Sequence, residues 1–350
     1  MKQAILFPLS LLYGLAVSFR NRLYDLGILR GVAPGVPVIV VGNISAGGTG
    51  KTPFVIWLAG ILSKRYRTAI LSRGYLRSSS GFRWVQPDDD PALSGDEPLE
   101  IKRRLAHIPV AVDRNRSRGI TRMLELPLPP QVILMDDGFQ HRRVSPVFPV
   151  VLLDAGRPPW KDRLLPAGRL REPPGALSRT ALAVITKIPH NWTKNDLSAY
   201  RQKLRLRDDQ ILIQASLQYA GLAHAMDGTI EIAPDSQDLK NSRVLLVAGI
   251  AHPLSLTRWL EGRVKSLDTI LFPDHHRYRE GDASKILSRI KQAGEVPDLL
   301  LTTGKDAVKL ECFPSLRSLK WKVIRMDLAL SDEDTEIITT KIQEYVQSNS

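Results

Sequence analysis

The sequence predicts an α/β protein of two α/β/α domains with mostly parallel sheets, the first a phosphate-loop domain, preceded by a membrane-associated N-terminal helix. Three observations carry that prediction. From residue 35 onward short apolar runs alternate with stretches of helical periodicity, the pattern of strands covered on both faces by crossover helices. The first run, Val38–Val41, leads directly into the glycine-rich turn Gly42-Asn43-Ile44-Ser45-Ala46-Gly47-Gly48-Thr49-Gly50-Lys51-Thr52-Pro53. Before it, Gln3–Phe19 carries no charge, with Lys2 on one side and Arg20 and Arg22 on the other.

Taken in order, the N-terminal stretch, residues 1–30, reads as an amphipathic helix lying in a membrane face. Its seventeen uncharged residues include Pro8 and fall short of the ~20 that a spanning helix needs. A secretory signal is the competing reading, but no small-residue cleavage site follows the apolar run. Residues 31–212 form the expected first domain. Its strands are Val38–Val41, Thr68–Leu71, Val110–Val112, Val132–Met135, Val150–Leu153 and Ala183–Ile185, with helices over Phe54–Leu62 and Leu99–Leu105. Gly156–Gly175, rich in Pro, Gly and Arg, is a long loop, and loops of that length in α/β proteins commonly carry function. Residues 213–350 form the second domain, expected to close over the nucleotide. Its strands are Ile211–Ala215, Val244–Ala248, Thr269–Phe272, Leu299–Leu301 and Val323–Met326, with helices over Ser255–Leu260 and Ala283–Ala293. The last helix, about residues 333–346, is free to pack on either domain.

Composition narrows the chemistry. A hydrophobic fraction of 43% with 24% charged residues is ordinary for a folded protein. The single cysteine, Cys312, excludes an internal disulfide and a thiolate metal cluster. The net charge of +13 is uneven: residues 1–180 hold 26 Lys/Arg against 14 Asp/Glu, and residues 181–350 hold 23 against 22. Basic charge therefore gathers in the half with the glycine-rich turn, as an anionic membrane surface, a phosphorylated substrate or nucleic acid would favour. No aromatic–basic interleaving or nucleic-acid motif is present, which argues against the last.

The turn itself has a chemical reading. Backbone N–H groups from Ser45, Ala46, Gly47, Gly48, Thr49 and Gly50 can cradle a nucleotide's phosphates, Lys51 can reach the β- and γ-phosphates, and the Thr52 hydroxyl can ligate Mg²⁺. Ser45 breaks the generic pattern, which has glycine there. A second apolar run, Val132–Met135, ends in Asp136-Asp137, and a carboxylate at that place in phosphate-loop enzymes holds Mg²⁺ directly or through water. Gly138-Phe139-Gln140-His141-Arg142-Arg143 follows, packing an amide, an imidazole and two guanidinium groups beside those carboxylates.

Seven motifs in order give the chain a family resemblance: GNISAGGTGKTP, SRGY at Ser72–Tyr75, SGDEP at Ser94–Pro98, DDGFQHRR at Asp136–Arg143, LPAGRLREP at Leu165–Pro173, FPDHH at Phe272–His276 and KDAVK at Lys305–Lys309. Together they resemble the tetraacyldisaccharide 4′-kinase family of lipid A biosynthesis, from the N-terminal helix to about residue 310. The resemblance implies ATP- and Mg²⁺-dependent phosphorylation of the 4′-hydroxyl of an acylated glucosamine disaccharide 1-phosphate at the cytoplasmic face of the bacterial inner membrane, with no obligate protein partner. It implies Asp96 as the catalytic acid that accepts the hydroxyl proton and His275 as its partner, with Lys51 acting on the phosphates and Thr52, Asp136 and Asp137 on the metal. Asn43, Arg73, Tyr75, Arg114, Gln140, His141 and Glu172 are expected to contact substrate or nucleotide, with Asp113 close by. Read without the family, Asp96 in Gly95-Asp96-Glu97-Pro98 is a helix cap.

Two positions depart from the family pattern: Arg169 stands where proline is usual, and Gly304 replaces a glutamate, so any contact made by that side chain is absent. Two other functions compete. One is another phosphate-loop small-molecule kinase or ligase; the other is a membrane-tethered nucleotide switch, since Thr186-Lys187 resembles part of a guanine-reading loop. No Asn-Lys-x-Asp is present to complete that loop.

Overall fold

The computed structural model describes residues 2–189, 192–225, 227–250, 253–274, 276–292, 297–317, 319 and 321–349. In chain order the elements are α1 (Lys2–Asp25), β1 (Val38–Gly42), α2 (Lys51–Leu62), β2 (Thr68–Ser72), β3 (Arg83–Trp84), α3 (Pro91–Ser94), α4 (Asp96–Arg104), β4 (Val110–Val112), α5 (Arg116–Leu124), β5 (Val132–Asp136), β6 (Phe148–Asp154), β7 (Leu182–Thr186), α6 (Lys194–Leu204) and β8 (Ile211–Gln214). Then come β9 (Ser216–His224), β10 (Ile230–Ile232), α7 (Gln237–Asn241), β11 (Arg243–Ala248), α8 (Pro253–Leu260), β12 (Ser266–Leu271), α9 (Glu280–Gln292), β13 (Leu299–Thr303), α10 (Gly304–Leu310), α11 (Pro314–Arg317), β14 (Trp321–Ala329) and α12 (Asp332–Ser348).

The chain divides into two compact units: Met1–Arg73 with Val110–Leu217 and Leu328–Ser350, and Gly74–Pro109 with Gln218–Asp327. The strand expected over Ile211–Ala215 in the second domain is β8 and belongs to the first unit. Residues 74–109, which include Asp96, belong with the later part of the chain, and the last helix belongs with the first part.

In the first unit seven strands run in the order β4-β2-β5-β1-β6-β7-β8, each pair parallel. The middle strands are buried along their whole length, which is why they read as unbroken apolar runs rather than alternating ones. Helix α2 buries Phe54, Val55, Ile56, Leu58, Ala59 and Leu62, so it too is apolar nearly all round. Helix α12 buries Ile338, Ile342 and Val346 along one stripe, and its Tyr345 hydroxyl accepts the Val38 N–H at 3.4 Å.

In the second unit the order is β10-β9-β14-β13-β11-β12. The β9–β10 pair is antiparallel, while β11 and β13 pair in parallel with their neighbours β12 and β14 and with each other. Strand β11 divides its side chains between two cores. Val244, Leu246 and Ala248 pack with Leu256 and Leu260, whereas Leu245 and Val247 pack with Ile286 and Leu310. A period of two along one strand thus serves both faces of the sheet.

Helix α1 is turned unusually. Its polar residues face the first unit: Ser10 is buried, donating to the Leu164 carbonyl at 2.9 Å and accepting the Ala167 N–H at 2.8 Å. Tyr13 donates to the Arg171 carbonyl at 2.8 Å. Leu9, Leu11, Leu12, Leu15 and Phe19, by contrast, are each more than half exposed. No helix among the described residues is long and apolar enough to cross a membrane.

Candidate active site

The glycine-rich turn follows β1 and ends as α2 begins. Gly47 and Gly50 hold φ of 119° and 86°, the left-handed region that glycine enters without a Cβ penalty. The turn is braced from three directions. Asn43 Nδ2 donates to Thr49 Oγ1 at 3.1 Å, and Thr186 at the end of β7 donates to the Thr49 carbonyl at 2.9 Å. The Ala46 N–H meets the Arg169 carbonyl and the Arg171 N–H meets the Ile44 carbonyl, both at 2.7 Å. Arg169 therefore serves the turn through its backbone. Gln140 reaches the same turn, donating to the Asn43 carbonyl at 2.8 Å.

Lys51 opens α2, with Thr52 buried behind it. Register brings the acidic pair alongside, because Val41 of β1 lies opposite Asp136 of β5. Asp136 is buried and accepts from Ser72 Oγ at 3.0 Å. Asp137 turns outward at φ 47°, 3.4 Å from Lys51 Nζ and 3.0 Å from Arg171 through both carboxylate oxygens. Burial works against its charge, but Lys51 and Arg171 prevail and hold its pKa down at about 2.

Behind Asp136 lies a cation that sequence reasoning did not single out. Arg116, buried at the start of α5, donates to the Asp136 carbonyl at 3.2 Å and to the Asp113 carbonyl. Burial lowers its pKa to about 10 despite Asp136, Asp137 and Asp113. Arg114 and Arg73, both expected to act, are exposed. Asp113 is fully buried and takes both Arg118 nitrogens at 2.8 Å.

Burial, with Arg116 and Arg73 nearby, pushes the His141 pKa from 6.5 down to about 4. The unfolded chain therefore takes up a proton that the fold refuses, and stability falls as pH drops from about 6.5 towards 4. His141→Gln should flatten that loss, measured as the difference between urea midpoints at pH 7 and pH 5. An unchanged difference would place the acid sensitivity elsewhere.

Glu172 is buried, but its partners belong to the helix contact. It accepts from Asn21 at 3.0 Å, lies 3.5 Å from Arg20 and pairs with Arg179. Its place is beneath α1.

The second unit holds Asp96 at the start of α4. One carboxylate oxygen accepts the Glu97 N–H at 3.0 Å, and the other lies 3.8 Å from Lys309 Nζ. Lys309 also stands 3.1 Å from Asp306, a fully buried acid that accepts the Gly249 N–H and the Thr303 hydroxyl, each at 2.8 Å. Among the described residues, a cation beside Asp96 is thus a lysine of the KDAVK segment. His275 lies outside the described residues. His276 stacks on Phe272 with ring centroids 4.5 Å apart and bonds Asp282 at 3.0 Å, which ties it to its own loop. Tyr75 is exposed.

Similar proteins give this arrangement a context. The family described as LpxK, tetraacyldisaccharide-1-P 4′-kinase, matches residues 2–345. The chain belongs to this family. A tetraacyldisaccharide 4′-kinase of Phocaeicola vulgatus is 37% identical over 99% of this chain and 95% of its own length. One from Flavobacterium johnsoniae is 35% identical over 99% and 97% respectively. Among solved structures, LpxK from Aquifex aeolicus, crystallised in complex with ATP, superposes with a TM-score of 0.76 at 30% identity, covering 99% of both chains. Membership makes this chain a kinase, and its mixed α/β architecture of mostly parallel sheets is that of the family.

Proposed function

We propose that this chain transfers the γ-phosphate of ATP to the 4′-hydroxyl of a tetraacylated glucosamine disaccharide 1-phosphate, with Mg²⁺, at the inner face of the bacterial inner membrane. The observation that carries the reading is the Lys51–Asp137 contact at 3.4 Å. It joins the end of a glycine-rich turn to an acidic strand end one strand away. The residues suit the metal. Mg²⁺ takes one or two carboxylates and completes its shell with phosphate oxygens and water, and Thr52 with Asp136 and Asp137 offers that donor set. No group of three or more His, Cys, Asp or Glu side chains is placed to hold a metal unaided among the described residues. Bound there, the ion would neutralise charge that develops on the phosphates.

The chain's own groups have distinct tasks in this reading. Backbone N–H groups of Ser45–Gly50 cradle the phosphates, and Lys51 leaves Asp137 for them, while Arg171 keeps Asp137 ionised. Asp96 takes the proton of the attacking hydroxyl, with Lys309 standing 3.8 Å from its carboxylate. Gln140 and His141 flank the acidic strand end, where a phosphorylated sugar would meet an amide and a neutral imidazole, while Arg116 braces Asp136 from behind.

The outward apolar face of α1 is the membrane contact in this reading. Packing a helix by its polar residues and leaving leucines and a phenylalanine exposed is costly in water and favourable at a lipid interface. Leu12→Asp with Leu15→Asp should abolish flotation with vesicles of anionic phospholipid while leaving ATP binding intact. Retained flotation would assign the membrane contact to another surface. The function itself is tested by transfer of labelled γ-phosphate from Mg-ATP to lipid A disaccharide 1-phosphate in detergent micelles. A 4′-phosphorylated product is expected; ATP binding without any product would refute the assignment.

A further inference from the structure

Helices α4 and α10 of the second unit pack together with opposite charge. Asp96, Glu97 and Glu100 lie three and four residues apart on α4 and share a face. Lys305 and Lys309 do the same on α10. Lys305 pairs with Glu97 and Lys309 stands by Asp96, so the two helices meet as a short charge ladder.

Glu100 extends the ladder into a place that the sequence leaves empty. A Cβ on Gly304 would stand 2.4 Å from Glu100 Oε1, 2.7 Å from its Cδ and 3.1 Å from its Cγ. Gly304 lies in the first turn of a helix, so a side chain there would meet Glu100 rather than strain the backbone. Position 304 is where the family resemblance expects a glutamate. Here a carboxylate arrives at the same spot from the opposite helix. Burial pushes the Glu100 carboxyl up in pKa, Lys305 and Arg104 draw it down, and Glu97 and Asp96 drive it up. Its charge is therefore felt by the same ladder that holds Asp96.

We propose that Glu100 is a positioning residue for phosphoryl transfer: seated in the space that glycine at 304 leaves open, it fixes the register of α4 against α10 that sets Lys309 beside Asp96. This rests on Asp96 being the proton acceptor. Residues 100 and 304 then act as one unit, and a side chain at 304 is harmful only while Glu100 is present.

Gly304→Ala, Glu100→Ala, their combination and Asp96→Asn, each in the full chain, test this through kcat, the KM for ATP and melting temperature. Alanine is the better helix former, and the displaced atoms are the end of a flexible side chain, so Gly304→Ala should fold as well as wild type. Its kcat should nonetheless fall about tenfold, since misplacement by about 1 Å can cost about 100-fold, with the KM for ATP unchanged. In the Glu100→Ala background the same substitution should cost nothing further. Wild-type kcat in Gly304→Ala, additive losses in the double variant, or a fall in kcat matched by a fall in melting temperature would each overturn the proposal. If Asp96→Asn is inactive in those cases, the role of Asp96 survives. Wild-type turnover by Asp96→Asn would remove both.

Discussion

Asp96→Asn should lower kcat for lipid phosphorylation by about 10²–10⁴-fold, the range that a positioned general base supplies, and leave ATP affinity intact. Asparagine keeps the shape and can still accept the Glu97 N–H that Asp96 accepts at 3.0 Å. It loses the negative charge that faces Lys309 at 3.8 Å. Lys309 retains Asp306 at 3.1 Å, so no buried cation is stranded and the fold should hold. Single-turnover transfer alongside equilibrium ATP binding separates the two effects. Transfer at the wild-type rate would remove Asp96 from the chemistry and leave it an acidic first-turn residue of α4, whose N-cap is Gly95.

Lys51→Ala should reduce kcat by about 10²–10³-fold, the scale for losing one preorganised group that stabilises developing charge, and raise the KM for ATP as well. The variant also changes the resting site. Asp137 keeps its pKa near 2 because Lys51 and Arg171 outweigh its burial. Its contribution to stability is therefore fully present above the ordinary carboxylate pKa and is lost as pH falls towards 2. Without Lys51, the acid limb of the stability profile should move to higher pH. Lys51→Arg should restore the limb but not the rate, since a guanidinium replaces the charge without the ammonium's compact reach. Equal rates for wild type and Lys51→Ala would remove Lys51 from the phosphates.

The sequence and the structure agree most closely where information is local. Val38–Val41 reads as a strand because β1 is buried on both faces, and the turn after it is legible because its glycines and Lys51 are contiguous. The acidic pair was legible for the same reason. Arg116, Arg171 and Lys309 were not, because each matters through a carboxylate distant along the chain. An arginine in a basic half looks like any other until Asp136 is packed over it. The partners of Glu172 were not legible either: its carboxylate meets Asn21, Arg20 and Arg179, contacts that the motif does not announce. The grouping of residues 74–109 with the second unit has no local signature either. It follows from α4 packing on α10, a pairing of short polar helices that no hydrophobic period announces.

The bond between Tyr345 and the N–H of Val38 spans 307 residues of chain, and that distance has a consequence during synthesis. The strand that delivers the glycine-rich turn leaves the ribosome early, but the helix that bonds to it follows all the strands of both units. At roughly 5–20 residues per second, the two are separated by about 15–60 s of translation. Until α12 is made, the Val38 N–H lacks the Tyr345 hydroxyl that it meets in the folded protein. A chain that stopped before α12 would thus keep every strand of the first sheet but lose the contacts of Tyr345 with Val38 and Phe148.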